Sequence, residues 1–187
     1  IRGVMKSHRA DLHELMGRLL LAAKLQEGLR QAICENCDCG TPEAFRAILG
    51  VIAEHDLIRF SAVKRAVGVW LGIMTEETRD LDRVSGKSLR LILDCLDSPK
   101  ARAEALSSED SMAIHIALWS LAFTDVAEAV TALDYLIHNG SRHQLLVAGY
   151  FAAQLEFPLM AHGMAKTVLK THSDKADVVA VWLSCFL

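Results

Sequence analysis

The chain has 187 residues, of which 52% are hydrophobic and 23% are charged, and its formal net charge is −3. Only 3 prolines and 11 glycines interrupt it, a composition that excludes disorder and low complexity and allows a buried core. Residues 1–98 are neutral and residues 99–187 carry the whole net charge. Neither half therefore has the basic excess of a general nucleic-acid-binding domain.

The most apolar window, residues 145–165, is interrupted by Gln154, Glu156 and Pro158. A membrane-spanning helix needs about 20 consecutive apolar residues, so the sequence predicts no membrane association. The 5 cysteines, an odd number in a chain without a secretory cue, predict reduced thiols and a cytoplasmic location. Because the chain starts at Ile1 and ends on VVAVWLSCFL, we expect a segment of a longer protein whose last helix is covered.

Apolar residues recur at helical spacing along almost the whole chain and predict ten helices. In the first half, the predicted helices are residues 10–36, 42–55 and 57–73, one around Leu89–Leu96, and a short one at 99–106. In the second half, helices are predicted to start near residues 109, 126, 142, 158 and 174. The first of these has one apolar stripe, formed by Met112, Ile116, Trp119 and Phe123.

Several helix boundaries carry capping residues. Thr41-Pro42 is an N-cap followed by a proline in the first helical position. The stretches Asp125-Val-Ala-Glu128 and Ser141-Arg-His-Gln144 fit the reciprocal capping box. Asn139-Gly140, just before the second box, predicts a helix end in the left-handed conformation.

The connections between the predicted helices are short, which places consecutive helices antiparallel and side by side. The later helix starts recur about every 16 residues, so a helical hairpin recurs about every 32 residues, without the tetratricopeptide or ankyrin signatures. We therefore predict an all-α fold of antiparallel helical hairpins, stacked as a right-handed HEAT- or armadillo-like α-solenoid. It would form a single domain over residues 1–187.

Three cysteines within six residues, Cys34, Cys37 and Cys39, suggest a metal site. Zinc needs four ligands, and neither candidate for the fourth fits: His55 would lie about 20 Å away along the next helix, and Cys95 has no supporting spacing. The alternatives are a redox role or a turn between two helices. We interpret the segment as a turn, retain the three cysteines as weak metal candidates, and expect no cofactor.

Other chemically capable residues have simpler structural interpretations. His115 lies on an apolar stripe, where a packed core histidine is more common than a ligand or a base. His138 and His143 flank one turn and fit solvated turn residues, although they could approach each other across it. Glu76 and Glu77 fit a solvated linker. Because HExxH, GxSxG, Walker and glycine-rich phosphate motifs are absent from the sequence, it favours a protein that is not an enzyme.

Basic residues concentrate on one predicted helix near Trp70, at Arg59, Lys64 and Arg65. These side chains are our candidate contact surface for an acidic partner or a phosphate backbone. The alternative is a solvated face whose long side chains cover apolar neighbours.

The stretches GTPEAF and LIRFSAVKRA resemble segments of very large bacterial proteins of unknown function, and GSRHQLLVAGYF resembles them more weakly. These proteins form a molybdate-metabolism-regulator-like family with helical repeats. The resemblance implies helical repeats in a multi-domain cytoplasmic protein, and it transfers no catalytic residue.

We predict a non-catalytic scaffold or protein–protein interaction module, whose partners are other proteins or other domains of the same chain. One alternative is a nucleic-acid-binding HEAT-like array. That reading requires one surface shared by Arg59, Lys64, Arg65, Arg79, Arg83, Lys87 and Arg90. The other alternative is a subunit of an enzyme or of a metal protein.

Overall fold

A computed structural model describes the following parts of the chain: residues 42–54, 56–59, 61–71, 84–155 and 157–186. All regular secondary structure in these ranges is helical, which confirms the predicted all-α class. The first predicted helix, residues 10–36, and the cysteines at 34, 37 and 39 lie outside the described residues. None of the described helices combines the length and the apolarity that a bilayer crossing requires.

The chain divides into two compact units, Ile1–Leu93 and Asp94–Leu187. The helical segments of the first unit are α1 (Pro42–Glu54), a 3₁₀ turn (Leu57–Arg59), α2 (Ser61–Trp70) and α3 (Gly86–Asp97), whose last four residues belong to the second unit. The 3₁₀ turn packs against both α1 and α2. The predicted core positions Leu49, Ile52, Val63 and Val67 are fully buried. The single domain over residues 1–187 stays a prediction.

The helix predicted over residues 57–73 is instead a 3₁₀ turn followed by the separate helix α2. Asp56 has a φ of 50°, in the left-handed region that aspartate tolerates better than most residues. Its main-chain oxygen accepts a hydrogen bond from the amide of Arg59 at 3.4 Å. The chain therefore changes direction at Asp56, and a short 3₁₀ turn leads into α2.

The second unit contains six further helices and a final 3₁₀ turn. They are α4 (Pro99–Leu106), α5 (Ser111–Thr124), α6 (Val126–Asn139), α7 (Arg142–Ala152), α8 (Pro158–Thr171), α9 (Ala176–Leu183) and the turn Ser184–Phe186. All 3 prolines of the chain, Pro42, Pro99 and Pro158, are the first residue of a helix. A proline there loses no hydrogen bond, because the first amides of a helix have no partner within it.

The helices of the second unit pack in two alternating rows. In one row, α7 lies between α5 and α9 and packs closely against both. The other row contains α4, α6 and α8, in which α8 packs against α6 but α4 does not pack closely against α6. Several consecutive helices join the rows, as α5 does with α4 and α6, whereas α7 and α8 do not pack closely against each other.

The row of α5, α7 and α9 repeats one contact at its helix starts. The first residue of α5, Ser111, has its Oγ 2.8 Å from Nε2 of His143, the second residue of α7. The first residue of α7, Arg142, donates from Nε to a carboxylate oxygen of Asp177, the second residue of α9, at 2.9 Å. The two pairs are separated by 32 and 35 residues in sequence. The three helices are therefore parallel, with an offset close to the predicted hairpin period.

Helix α5 is buried on nearly all of its faces. Every residue from Ala113 to Leu118 is buried, as are Ser120 and Leu121. The predicted stripe marks only part of this surface, because Trp119 and Phe123 are half-buried and stack with their ring centroids 5.0 Å apart. A helix with neighbours on three sides has no single apolar face, so periodicity alone could not identify its core-facing side.

The predicted caps differ in outcome. The capping box of Ser141 and Gln144 is confirmed. Asp125 accepts a hydrogen bond from the amide of Ala127 at 2.9 Å, but no reciprocal bond to Glu128 forms. The prediction of a left-handed helix end at Gly140 is wrong, since the backbone of Gly140 is extended, with φ −72° and ψ 152°. Glycine is needed there for space, because a Cβ atom would lie 2.5 Å from the main-chain oxygen of Leu136.

Candidate functional site

The cysteine cluster at Cys34, Cys37 and Cys39 lies outside the described residues, so its metal candidacy stays a prediction. Within the described ranges, no group of three or more His, Cys, Asp or Glu side chains could hold a metal ion. Cys95, the most remote candidate ligand, is fully buried in α3. Burial raises the pKa of its thiol to about 11, which disfavours the thiolate that a metal would need.

The basic candidates of the first unit lie on two adjacent elements. Arg59 ends the 3₁₀ turn and is exposed, whereas Lys64 and Arg65 on α2 are half-buried. Arg59 and Arg65 already interact with other groups of the chain. Lys87 and Arg90 are exposed on α3, while Arg79 and Arg83 lie outside the described residues. Whether these side chains form a contact surface stays a prediction.

His115 is a packed core residue, as its position on an apolar stripe predicts. Its side chain is 3% exposed, and its ring centroid lies 5.7 Å from that of Phe151 and 6.0 Å from that of Tyr150. The imidazole thus fills the space between α5 and α7.

His138 and His143 have separate partners. His138 Nδ1 lies 2.8 Å from the main-chain oxygen of Asp134 within its own helix. His143 pairs with Ser111, and a serine hydroxyl bonded to an imidazole supplies two of the three members of a catalytic triad. Within the described residues, however, no carboxylate orients the other ring nitrogen of His143. Arg142 and Asp177 form the equivalent contact between α7 and α9. We therefore interpret the Ser111–His143 pair as a structural contact between parallel helices.

The second unit contains a concavity between α4 and α6, here called the α4–α6 groove, with a volume of about 760 Å³. It lies where α4 and α6 fail to pack closely, and its walls are mostly apolar. One face of α6 provides most of its length, with Ala127, Glu128, Thr131, Ala132, Tyr135, Leu136 and Asn139. The opposite wall is formed by Ala103 and Leu106 of α4 and by Ser107, which follows it, and Leu121 and Gln144 complete the lining. Such a volume is in the range of ligand-binding sites.

Gln144 links the start of α7 to the end of α4 at this groove. Its Nε2 donates to the main-chain oxygen of Leu106 at 2.8 Å, and its Oε1 accepts from the amide of Ser141 at 2.8 Å. The side chain thus satisfies one orphan group at each of two helix ends. This bridge holds α4 at a defined place beside α6 and α7, so the groove has a fixed wall.

The polar groups along the rim are mostly bonded within their own helices. Thr131 Oγ1 donates to the oxygen of Ala127 at 2.9 Å, Ser107 Oγ to that of Ala103 at 2.9 Å, and Asn139 Nδ2 to that of Tyr135 at 3.1 Å. Within the described residues, two exposed polar groups of the lining have no partner, the Glu128 carboxylate and the Tyr135 hydroxyl. They lie two helical turns apart, about 10 Å along α6.

The carboxylate of Glu128 is not used in a capping bond, because a single residue, Asp125, joins α5 to α6. Asp125 ends α5 and begins α6, and its amide donates to the oxygen of Leu121. The amide that a capping box would offer to Glu128 is therefore already used, and the carboxylate lines the groove instead. Among the described residues that line the groove, Glu128 is the only charged one.

Sequence reasoning missed this groove, because each of its residues has an ordinary local role. The sequence predicts Glu128 as half of a capping box, and Tyr135 lies outside the apolar stripe of its helix, which consists of Val126, Val130, Leu133 and Ile137. One pattern in the sequence pointed to it: α6 carries Ala127, Thr131, Tyr135 and Asn139 at every fourth position, a mildly polar face too apolar for solvent alone.

Comparison with protein families matches residues 1–187 to a family of unknown function (DUF5724). No curated protein and no solved structure shows significant similarity to the chain.

Proposed function

Since the chain belongs to the DUF5724 family, whose function is unknown, we propose its function from the packing of its helices. We propose that the protein is a non-catalytic helical-repeat module that binds a helical segment of a partner protein in the α4–α6 groove. The observation that carries the proposal is this apolar groove with one unpartnered carboxylate, Glu128, along a mildly polar face of α6.

A HEAT-like arrangement is the repeat architecture that we propose. Its support is the parallel row of α5, α7 and α9, in which equivalent contacts recur after 32 and 35 residues. A second support is His172 at the end of α8, whose Nε2 lies 2.9 Å from the main-chain oxygen of Ile137 near the end of α6, a separation of 35 residues. The resemblance of GTPEAF and LIRFSAVKRA to the molybdate-metabolism-regulator-like repeats agrees with this architecture, and the odd cysteine count favours the cytoplasm.

The dimensions and chemistry of the groove favour an amphipathic helix as its occupant. Helix α6 has 14 residues and is about 20 Å long, which offers three to four turns of contact. Ala103, Ala127 and Ala132 in the walls allow the backbone of a partner helix to approach closely. Glu128 favours a lysine or arginine on that helix, and Tyr135 offers an aromatic anchor of the kind common in interfaces.

Selection of helical peptides from a displayed library against the purified chain tests the proposal. We expect selected peptides to carry an apolar stripe and a basic residue, with a dissociation constant of about 1–100 µM, or about 5–8 kcal/mol. Thr131→Trp fills the groove and should weaken binding at least about tenfold, which corresponds to about 1.4 kcal/mol.

Thr171→Trp is the matched control, since Thr171 is also exposed and bonds the oxygen four residues earlier at 2.9 Å. This control should bind selected peptides as the unsubstituted chain does. Peptides that bind all three proteins equally would contradict the proposal.

The basic residues Arg59, Lys64 and Arg65 remain a second proposed contact surface, for an acidic protein or for nucleic acid. Arg59 supports this reading by its exposure on the 3₁₀ turn. Nucleic-acid binding there should weaken steeply as salt rises, because neutralised phosphates release counterions. Titration of DNA and RNA at two salt concentrations checks it, and an absent or salt-independent shift would remove nucleic acid as the partner.

A further inference from the structure

One end of the α4–α6 groove is formed by an asparagine that is followed by glycine. Asn139 is the last residue of α6, is exposed and belongs to the lining of the groove. In the sequence it is the only asparagine followed by glycine. Because glycine has no side chain, its amide nitrogen can closely approach the side-chain carbonyl carbon of a preceding asparagine. The pair Asn139-Gly140 therefore has the composition that favours deamidation of the asparagine.

The reaction needs water and no other partner of the chain. The main-chain nitrogen of Gly140 attacks Cγ of Asn139, and the new bond closes a succinimide ring. The bond from Cγ to Nδ2 breaks, and Nδ2 leaves as ammonia with the proton that the Gly140 amide gives up. Water then opens the ring and yields aspartate or isoaspartate at position 139. Both products carry a carboxylate where Asn139 carries a neutral amide.

Two hydrogen bonds in the last turn of α6, residues 136–139, keep this reaction closed. The amide of Gly140, which must give up its proton, donates to the main-chain oxygen of Leu136 at 2.8 Å. The side-chain Nδ2 of Asn139 donates to the main-chain oxygen of Tyr135 at 3.1 Å, which ties the side chain to its own helix. The Gly140 nitrogen can therefore reach Cγ only after the last turn has opened.

Helix α8 supports this turn from outside. Nε2 of His172, at the end of α8, donates to the main-chain oxygen of Ile137 at 2.9 Å. The amide four residues after Ile137 is that of Ser141, and it donates to Oε1 of Gln144 instead. His172 thus satisfies an oxygen that the end of α6 leaves without its helical partner. Loss of the His172 side chain should therefore let the last turn open more often.

A carboxylate at position 139 would not restore the closed turn. It has no hydrogen to donate to the Tyr135 oxygen, and it lies where the main-chain oxygens of a helix end already carry partial negative charge. Isoaspartate also lengthens the main chain by one carbon just before Gly140. The groove would then have a second carboxylate besides Glu128, at an end that closes less well.

We propose that Asn139 is a deamidation site that the last turn of α6 keeps closed, and that its conversion loosens this turn and adds a second carboxylate to the α4–α6 groove. The conversion changes the lining of the groove whatever occupies it. This inference therefore does not rest on the proposed function.

Timed incubation of the purified chain in mildly alkaline buffer, with and without urea, tests the site. Peptide mass spectrometry measures conversion at Asn139 by the mass gained when an amide becomes a carboxylate. Conversion should be at least about tenfold slower in native buffer than in urea, because only the open fraction of the turn reacts. Absence of conversion in urea, or equal rates in both solutions, would overturn the proposal.

His172→Ala tests whether the last turn limits the reaction. The variant loses the bond to the Ile137 oxygen and should convert at least about threefold faster in native buffer, with an unchanged rate in urea. His162→Ala is the matched control, because it removes another half-buried histidine of α8, about 15 Å earlier along the helix, and should keep the native rate. A native rate in His172→Ala no higher than in the control would contradict the role of the turn.

Asn139→Asp reproduces the charge of the product, and Asn139→Ala is its uncharged control, which also loses the bond to Tyr135. Amide hydrogen exchange measures how far the Gly140 amide is protected relative to its intrinsic rate. Protection should be at least about threefold lower in Asn139→Asp than in either the control or the unsubstituted chain. Protection in Asn139→Asp as high as in either of those two proteins would overturn the claim that conversion loosens the turn.

Discussion

The indole Nε1 of Trp182 donates a hydrogen bond to the main-chain oxygen of Leu145 at 2.9 Å. Trp182 is fully buried, and its ring lies over Gly149, one turn beyond Leu145 on α7. Cys185 Sγ lies 3.9 Å from the oxygen of Gly149 on the same face. The contact of α7 with α9 therefore depends on a missing side chain at Gly149 as much as on the large one at Trp182.

Gly149→Ala should destabilise the protein. The added methyl group would lie 2.8 Å from Trp182 Nε1, and overpacking of this kind costs about 1–3 kcal/mol, beyond the gain of about 1 kcal/mol in helix propensity. Gly163→Ala on α8 is the control, because nothing lies within 4 Å of its added Cβ, and it should be neutral or slightly stabilising. Urea unfolding of both variants measures the difference in stability. Equal unfolding midpoints for the two variants would contradict close packing of α9 against Gly149.

Gly140→Ala should also destabilise, for a different reason. The φ of −72° at Gly140 suits any residue, but the added Cβ would lie 2.5 Å from the Leu136 oxygen. Relief of this clash would break the 2.8 Å bond from the Gly140 amide to that oxygen, at a cost of about 1–3 kcal/mol. Gly86→Ala, where the new Cβ meets nothing, serves as control in thermal unfolding. A glycine needed only for conformational freedom would predict no cost, and such a result would refute the steric account.

Asp177 should make folding stability depend on pH. The side-chain hydrogen bond from Arg142 lowers the pKa of Asp177 below its ordinary value of 3.8. With the folded pKa below the unfolded one, the unfolded state binds more protons in acid. The stabilisation that Asp177 contributes is therefore complete at pH values above its ordinary pKa and is lost as the pH falls through its folded-state pKa.

Asp177→Asn should accordingly be less stable than the unsubstituted protein near neutral pH, with the difference shrinking in acid. Asp174→Asn is the control, since Asp174 is exposed and has no ion pair among the described residues. Urea unfolding over a pH series measures both variants. A difference for Asp177→Asn that stays constant from about pH 6 to about pH 3 would contradict the role of the ion pair.

Cys95 and Cys185 should resist alkylation in the folded protein. Burial raises the pKa of both thiols, that of Cys95 to about 11 from 9.0, which lowers the reactive thiolate fraction of Cys95 about a hundredfold. Iodoacetamide labelling followed by peptide mass spectrometry, with and without urea, measures each site. Labelling of either cysteine in the folded state as fast as in urea would contradict its burial.

The sequence predicted the described helix starts well, because their determinants are local. Prolines 42, 99 and 158 begin helices through their fixed φ, and Ser141 and Gln144 form their box from side chains three residues apart. The spacing of about 16 residues between the later helix starts is close to that observed, with helices beginning at residues 111, 126, 142, 158 and 176.

Features that depend on exact backbone geometry or on distant residues could not be predicted from local sequence patterns. The sequence does not show that the Asp125 amide donates to the Leu121 oxygen. Because that amide is already bonded, the Glu128 carboxylate does not cap the helix and lines the groove instead. The need for glycine at 140 comes from the Leu136 oxygen, and that at 149 from Trp182 of another helix. The groove itself exists because α4 and α6 do not pack closely, which no window of sequence reveals.

Photo-crosslinking at the two tyrosines of the chain tests the protein-binding account most directly. Tyr135 lines the α4–α6 groove, whereas Tyr150 on α7 is also exposed but lies outside it. Each is replaced in turn by benzoylphenylalanine, and the protein is irradiated in its native host. We predict a discrete protein adduct from position 135 that Thr131→Trp eliminates, and none of the same mass from position 150. The same adduct from both positions, or no adduct from position 135, would contradict the account.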